Sequence, residues 1–277
     1  MNVPIVARYE RVRTSSEIPF HARGQLHTSI RSGIVSGQGQ SDQWAERIMP
    51  GYALGTFWGP VFTRVANETI PPVPPDTAPV WRPGQQLFQC TTPSATCVSG
   101  ETRAPSADDY RVIGNANPDF SLGFHNQLTW KKFDISFLVR AVVGQDVFNN
   151  TALVYSTKGN ALQGKNFLAP ALTDPTGIHE PAIYSSRWIE DGSFVRLQNV
   201  TIDYALDLPI LTRSARSAHL YVSADNVLLL TGYSGLDPEV SSANQANKDD
   251  VGLAARGIDY LSYPRSRTIT GGLRVVF

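Results

Sequence analysis

Hydrophobic and polar positions alternate with a period of two along several stretches of the chain. Between residues 120 and 130, apolar side chains fall mainly at even positions and polar ones at odd positions. After a corner at Lys131–Lys132, the alternation resumes from Phe133 to about Val143, with apolar side chains at odd positions. A period of two is typical of a β-strand with one apolar face. The pattern therefore predicts an antiparallel hairpin with one apolar and one largely polar face.

The same alternation returns in later segments, at Val200–Leu208, at Leu220–Val222 and from Thr268 to the final residue, and less cleanly at about Arg23–Val35. The two hairpin strands are each about 11 residues long, whereas strands of globular proteins are most often roughly 5–6 residues long. A tilted strand needs about 9–11 residues to cross a bilayer. The chain is therefore predicted to be all-β, with strands long enough to span a membrane.

The connections between these strands are of two kinds. Those at Lys131–Lys132 and around residues 209–217 are short, whereas those near 63–118, 145–191 and 232–264 are long and polar. If the last strand runs from outside to inside, every long connection falls on the extracellular side. Bacterial outer-membrane barrels have this asymmetry, with short periplasmic turns and long extracellular loops.

A soluble antiparallel β-sandwich also produces alternating strands, so periodicity alone leaves a carbohydrate-binding sandwich open. The two folds differ in where the apolar strand faces lie. In a sandwich these faces are buried between two sheets, whereas in a barrel they form one continuous band that faces lipid.

The charge balance of the chain argues against a nucleic-acid partner. The chain has 277 residues, with 24 Lys and Arg balanced by 24 Asp and Glu. A nucleic-acid-binding protein normally has a basic surplus, so no nucleic-acid partner is expected. The first residues, MNVPIVARYERVR, lack a basic region followed by an apolar one, so no signal peptide is predicted within this chain.

Motifs for catalysis are not found in the sequence. It contains no GxSxG elbow, no HExxH pair and no phosphate-binding glycine loop. Its acidic pairs are adjacent residues, whose side chains point to opposite faces of a strand, whereas a glycosidase needs two carboxylates across one substrate. We therefore expect neither an enzyme, a glycan-cleaving one included, nor a cofactor or metal centre.

Five segments carry a family resemblance: Pro50–Phe62, Ile113–Phe148, Ser185–Leu206, Ser223–Val240 and Tyr263–Phe277. In this order they resemble blocks in the C-terminal part of the SusC/RagA family of TonB-linked outer-membrane transporters. The resemblance implies that residues 1–277 are a C-terminal segment of a large antiparallel transmembrane β-barrel of about 22 strands with a plugged lumen. The insert at Pro71–Pro105 departs from the family pattern.

The resemblance also implies a function and partners. Family members take up bulky nutrients, such as glycans or peptides, across the Gram-negative outer membrane, with energy from TonB acting through a plug. The implied partners are membrane lipid, the remaining barrel and plug of the same protein, the TonB complex and a SusD-like lipoprotein. A fragment without the plug, whose open sheet has unpaired edges in lipid, is not expected to transport by itself.

Several residues carry site predictions under this interpretation. Cys90 and Cys97 are expected to form a disulfide if their loop is extracellular, the alternative being two free thiols. A turn motif (Gly235, Asp237, Pro238, Glu239) starts an extracellular loop in the family, and its carboxylates either bind a cation or stabilise the turn. Phe277 resembles a terminal assembly signal. Loop aromatics that either stack on sugars or pack in the loops are Trp58, Trp81, Tyr155, Tyr184 and Trp188.

Overall fold

The computed structural model describes residues 5–10, 30–34, 44–71, 80–91, 96–173, 178, 180–206, 217–240 and 256–276. The strands, in chain order, are β1 (Ile5–Glu10), β2 (Ile30–Ile34), β3 (Trp44–Ile48), β4 (Thr56–Pro60), β5 (Phe62–Val65), β6 (Gln86–Gln89), β7 (Glu101–Thr102), β8 (Tyr110–Asn115), β9 (Phe120–Trp130), β10 (Phe133–Val143), β11 (Asp146–Asn149), β12 (Ile189–Asp191), β13 (Phe194–Leu206), β14 (Ser217–Thr231), β15 (Ile258–Asp259) and β16 (Thr268–Val276). The α-helices are α1 (Asn150–Tyr155), α2 (Gly159–Leu162) and α3 (Pro170–Thr173), and 3-10 turns lie at Ala107–Asp109 and Ser186–Trp188. No helix in these ranges is long and apolar enough to cross a membrane.

The long strands form one six-stranded sheet in the order β1-β9-β10-β13-β14-β16. Each neighbouring pair is antiparallel. The predicted hairpin is confirmed, because Trp130 pairs with Phe133 and the ladder continues to Phe120 opposite Val143. Lys131, in the two-residue corner, has a positive φ of 55°. Such a backbone turn closes a two-residue hairpin without splaying its strands.

Two strands are longer than the alternation indicates. β13 begins at Phe194 instead of Val200, and β14 extends from Ser217 to Thr231. The register shifts between Leu197 and Asn199 against both neighbouring strands. This bulge reverses the odd–even pattern within β13 and hides its first half from a search for a period of two. Of the weaker candidate at about Arg23–Val35, the described residues include Ile30–Ile34, which is β2.

One face of the six-stranded sheet is apolar and exposed. Large apolar side chains that stand on this face and are at least one-third exposed are Leu122, Trp130, Phe133, Val195, Ile202, Leu220, Val222, Leu228, Leu230, Ile269 and Leu273. They align across the strands, as where Ile202 lies between Ile135 and Val222. In the part of the chain that the structure describes, no second sheet buries this face. A sandwich would bury it, so this face favours the barrel over the sandwich.

The described parts of the long connections are folded and meet at one end of the sheet. Three smaller sheets lie there, with orders β2-β3-β4-β8, β5-β6-β7 and β12-β11-β15. We call this region, residues 30–34, 44–119, 144–193 and 232–264 as far as they are described, the cap. The opposite end of the sheet has the Lys131–Lys132 corner and the ends of β13 and β14, between which residues 207–216 lie outside the described residues. The described parts of the long connections therefore lie at the end of the sheet opposite the Lys131–Lys132 corner.

The buried apolar core lies in the cap rather than in the sheet. Its main cluster consists of Ala45, Phe57, Phe148, Leu153, Val154, Ile178, Ala182, Tyr184, Trp188 and Ile258. A smaller cluster contains Ala66, Val80, Trp81 and Leu87. Burial of apolar surface is the main source of folding free energy, so the cap has a core of its own, whereas the sheet does not.

A charge on the exposed apolar face should destabilise the protein if that face contacts lipid. We expect Ile202→Lys to lower the free energy of unfolding in lipid by about 2–4 kcal/mol, because a lysine on the lipid face of a barrel has to leave water. The matched control is Ser223→Lys, whose side chain stands on the opposite, polar face next to Thr201. Urea unfolding in vesicles, followed by tryptophan fluorescence, measures both variants. Equal effects of the two lysines would contradict a lipid-facing band.

Candidate functional site

The face opposite the apolar band is polar. Near the short-turn end, the Asp203 carboxylate lies between His219 and Arg274, with Oδ1 2.6 Å from His219 Nδ1 and Oδ2 accepting a 2.7 Å hydrogen bond from Arg274 Nη2. The Thr129 hydroxyl donates a 2.5 Å hydrogen bond to Asp134 on the neighbouring strands. The side chains of Asp134, Asp203, His219 and Arg274 border a shallow cavity of about 240 Å³. The charged groups of this face are largely paired with one another, which gives a wettable surface.

At the cap end of the same face, Arg196 is the centre of a buried network. Its side chain is 1% exposed, and it donates hydrogen bonds to Asn226 Oδ1 at 2.5 Å and to Asp237 Oδ1 at 2.6 Å. Its Nε lies 3.3 Å from Glu239 Oε2, and Arg140 pairs with the same carboxylate. Arginines of two wall strands, β10 and β13, therefore bind the segment that follows β14.

These contacts give the turn motif its structural role. Asp237 Oδ1 also accepts a 2.9 Å hydrogen bond from the backbone amide of Glu239, and the Pro238 carbonyl accepts a 3.3 Å hydrogen bond from Gln145. A side chain at Gly235 would clash with the Tyr233 ring, so that position requires glycine. The carboxylates of Asp237 and Glu239 face arginines, an arrangement that favours the turn over a cation site. In the described residues, no group of His, Cys, Asp and Glu is arranged to hold a metal.

Sequence reasoning identified the carboxylates of this network but missed its arginines. Arg140 and Arg196 lie directly opposite each other in the ladder between β10 and β13. Two like charges in register on neighbouring strands are unfavourable unless acids lie between them. The paired arginines were the sequence signal for this network. The pairing can be recognised only if β13 is known to begin at Phe194, before Arg196.

Three of the loop aromatics are buried and pack within the loops, which is one of the two interpretations that the sequence left open. Trp81 and Tyr184 are each 2% exposed and Trp188 is 5% exposed. The Tyr184 hydroxyl donates a 2.7 Å hydrogen bond to the Ala45 carbonyl, and burial raises the pKa of Tyr184 well above its ordinary value. Because the long connections have their own core, aromatic residues within them pack as core residues.

The other two aromatics keep exposed surface. Trp58 of β4 is half-buried, and the Arg47 guanidinium lies 4.9 Å from its ring centroid. Tyr155, at the end of α1, is half-buried and lines an open cavity of about 450 Å³. Substrate contact by these two residues stays a prediction.

The structure joins Cys90 and Cys97 by a disulfide at the end of β6. Next to it, the Asp109 carboxylate accepts 2.8 Å hydrogen bonds from the backbone amides of Thr91 and Ser106 and from the Ser106 hydroxyl. Burial alone would raise the pKa of Asp109, but these hydrogen bonds outweigh it and lower the pKa. Phe277 lies outside the described residues, so its role in assembly stays a prediction.

No family model matches the chain. It is 32% identical over 239 residues to TonB-dependent receptor P3 of Formosa agariphila, an alignment that covers 83% of this chain and 23% of the relative. It is 27% identical over 238 residues to TonB-dependent receptor SusC of Bacteroides thetaiotaomicron, covering 82% of this chain and 20% of SusC. Its fold matches the solved RagAB peptide transporter with a TM-score of 0.61 at 20% identity, over 83% of this chain and 23% of that one. The chain belongs to the SusC/RagA family of TonB-dependent receptors.

This result confirms the resemblance drawn from the sequence motifs, and with it the partial-barrel fold. The exposed apolar band of the six-stranded sheet is what the lipid-facing side of such a barrel wall would present. The chain spans about a fifth of the length of the curated relatives that it matches. The relatives are named as receptors, in agreement with the expectation of a protein that is not an enzyme.

Removing Arg196 should strongly destabilise the junction between wall and cap. We expect Arg196→Met to lower the free energy of unfolding by about 3–5 kcal/mol, because it leaves buried carboxylates without their partner. The matched control is Arg265→Met, since the Arg265 side chain is 50% exposed and lies 3.6 Å from Glu239; such an exposed pair contributes about 0–1 kcal/mol. Urea unfolding of the full-length receptor tests both variants. Trypsin cleavage at Arg256, in the segment that follows β14, is a local probe of the junction. A small effect at Arg196 would contradict the network's role.

The Asp109 carboxylate should stabilise its part of the cap in a pH-dependent manner. A lowered pKa means that the folded state favours the ionised form, so this stabilisation is present at neutral pH and is lost as pH falls through the folded-state pKa. We therefore expect Asp109→Asn to lower the melting temperature at pH 7 and to have a smaller effect in acid. Asp108→Asn, at the exposed neighbouring position, is the control. Differential scanning calorimetry from pH 7 to acid measures the melting temperatures of both variants. If Asp109→Asn lowered the melting temperature equally at every pH, the stabilising role of the ionised Asp109 carboxylate would be refuted.

Proposed function

We propose that this chain forms part of the wall and the extracellular loops of an outer-membrane, TonB-dependent transporter for a bulky nutrient, either a glycan or a peptide. One observation carries the proposal: six antiparallel strands expose a continuous apolar face on one side and a polar face on the other. A sheet with these faces fits between lipid and a wet lumen. Among its relatives, the RagAB structure is described as a peptide importer.

The chain's part in transport is physical rather than chemical. The apolar face holds the wall in the membrane, the polar face borders the path of the nutrient, and the cap contributes to the entrance. The plug that opens the path, its coupling to TonB and a SusD-like lipoprotein that covers the entrance belong to the proposed complete receptor. The chain alone does not transport under this proposal, because the edge strands β1 and β16 each have a single neighbour in the described sheet.

The coding DNA upstream of the codon for Met1 provides one direct test. A continuation that encodes further strands, a plug and a signal peptide supports the proposal of a larger receptor. A promoter and ribosome-binding site without such a continuation would contradict it.

The proposal predicts on which side of the membrane each connection lies. We expect an epitope inserted after Gly100, an exposed turn of the cap, to bind antibody on intact cells. An epitope inserted between Lys131 and Lys132 should bind antibody only after the outer membrane is permeabilised, because that corner lies at the opposite end of the strands. Flow cytometry of cells that produce the full-length receptor measures both.

The matched control is the same epitope in a periplasmic protein of the same cells, which has to stay unlabelled until permeabilisation. Labelling of the Lys131–Lys132 epitope on intact cells would reverse the proposed orientation. Labelling of neither epitope before permeabilisation would contradict an outer-membrane location.

A further inference from the structure

Next to the cap, the apolar band ends where β14 extends beyond the first residue of β16. Leu228 and Leu230 of this extension, and Ile269 at the start of β16, are exposed on the apolar face. Tyr263, in the segment that leads into β16, is 96% exposed. Aromatic rings at the end of an apolar band are typical of the interface between lipid and water. We call this region the seam; it consists of Leu228, Leu230, Tyr263, Arg265, Arg267 and Ile269.

Asn226 of β14 holds the two arginines of the seam against the wall. Its φ is +52°, a left-handed conformation that asparagine adopts more readily than most residues. Its Nδ2 donates a 2.8 Å hydrogen bond to the Arg265 carbonyl, and its own carbonyl accepts a 3.4 Å hydrogen bond from Arg267 Nε. Because Arg267 lies two positions before Ile269, the alternation of β16 places it on the apolar face.

The two arginines leave positive charge without an acidic partner at the seam. The exposed Arg265 guanidinium lies 3.6 Å from Glu239, but that carboxylate already pairs with the arginines of β10 and β13. Among the described residues, no carboxylate pairs with Arg267, and its two terminal nitrogens make no hydrogen bond. The adjacent Asp225 carboxylate accepts its hydrogen bond on the opposite, polar face. An anion bound at the seam would supply the partner that these guanidinium groups lack.

We propose that the seam binds the phosphate-bearing headgroup of a lipid in the outer leaflet, an inference that rests on the proposed function and its orientation in the membrane. A guanidinium presents parallel N–H groups that match the oxygens of a phosphate. The acyl chains of the same lipid cover Leu228, Leu230 and Ile269, whereas a soluble phosphate leaves these side chains uncovered. Basic side chains beside an apolar surface that faces lipid therefore fit an anionic lipid better than a soluble anion.

Native mass spectrometry of the purified full-length receptor in detergent measures lipid binding directly. The probes are monophosphoryl lipid A and the same lipid after removal of its phosphate. We expect the receptor to bind the phosphorylated lipid at least about tenfold more tightly, and inorganic phosphate at the same concentration not to displace it. Arg265→Gln combined with Arg267→Gln should weaken binding of the phosphorylated lipid at least about tenfold and leave binding of the dephosphorylated lipid unchanged.

The matched control is Arg111→Gln, at an exposed arginine of β8 in the cap, which should bind the phosphorylated lipid as the unchanged receptor does. The comparison of the two lipids needs no variant, so it tests the proposal even if a variant fails to fold. Equal binding of the two lipids, an equal loss in Arg111→Gln, or displacement of the lipid by inorganic phosphate would overturn the proposal. Surface labelling of the Gly100 epitope reports the proposed function separately, so the two proposals fail distinguishably.

Discussion

Backbone hydrogen bonding is the constraint on which this structure depends. A strand in hydrocarbon has to pair its amides and carbonyls with neighbouring strands, because no water replaces a missing partner. The ladder from β9 to β14 meets that need within the described sheet, and no second described sheet covers its apolar face. The wall therefore gains little from a buried core. Apolar burial is concentrated in the cap, where Phe57, Phe148 and Leu153 are fully buried.

Because the wall depends on backbone hydrogen bonds and the cap on apolar burial, the contacts that join the two are important. The wall strands continue into the cap, and the Arg196 network ties the segment after β14 back onto β10 and β13. Buried ion pairs contribute little net stability compared with apolar packing, but they are sensitive to geometry, because a displaced partner leaves an unpaired buried charge. Arg196, Asp237 and Glu239 therefore act mainly to fix where the cap sits on the wall.

The sequence predicted the wall better than the cap, for a physical reason. The hairpin of β9 and β10 follows the alternation closely, so both ends of each strand agreed with the pattern. The bulge at Gln198 reversed that alternation and concealed the start of β13, and with it Arg196. In the cap, short strands and helix turns carry no long period. Burial of Trp81, Tyr184 and Trp188 depends on contacts between distant segments, and the sequence alone left both of their interpretations open.

A folded cap also bears on how a receptor of this kind selects its nutrient. On the polar face of the wall, Asp203, His219 and Arg274 are paired with one another, so that surface offers few unsatisfied groups to a passing ligand. The cap, by contrast, has an apolar core of its own, which holds its described loops in place. Groups that are already ordered bind without the entropic cost of immobilising a loop. Under the proposed function, we therefore expect selectivity for the nutrient to depend on the cap more than on the wall.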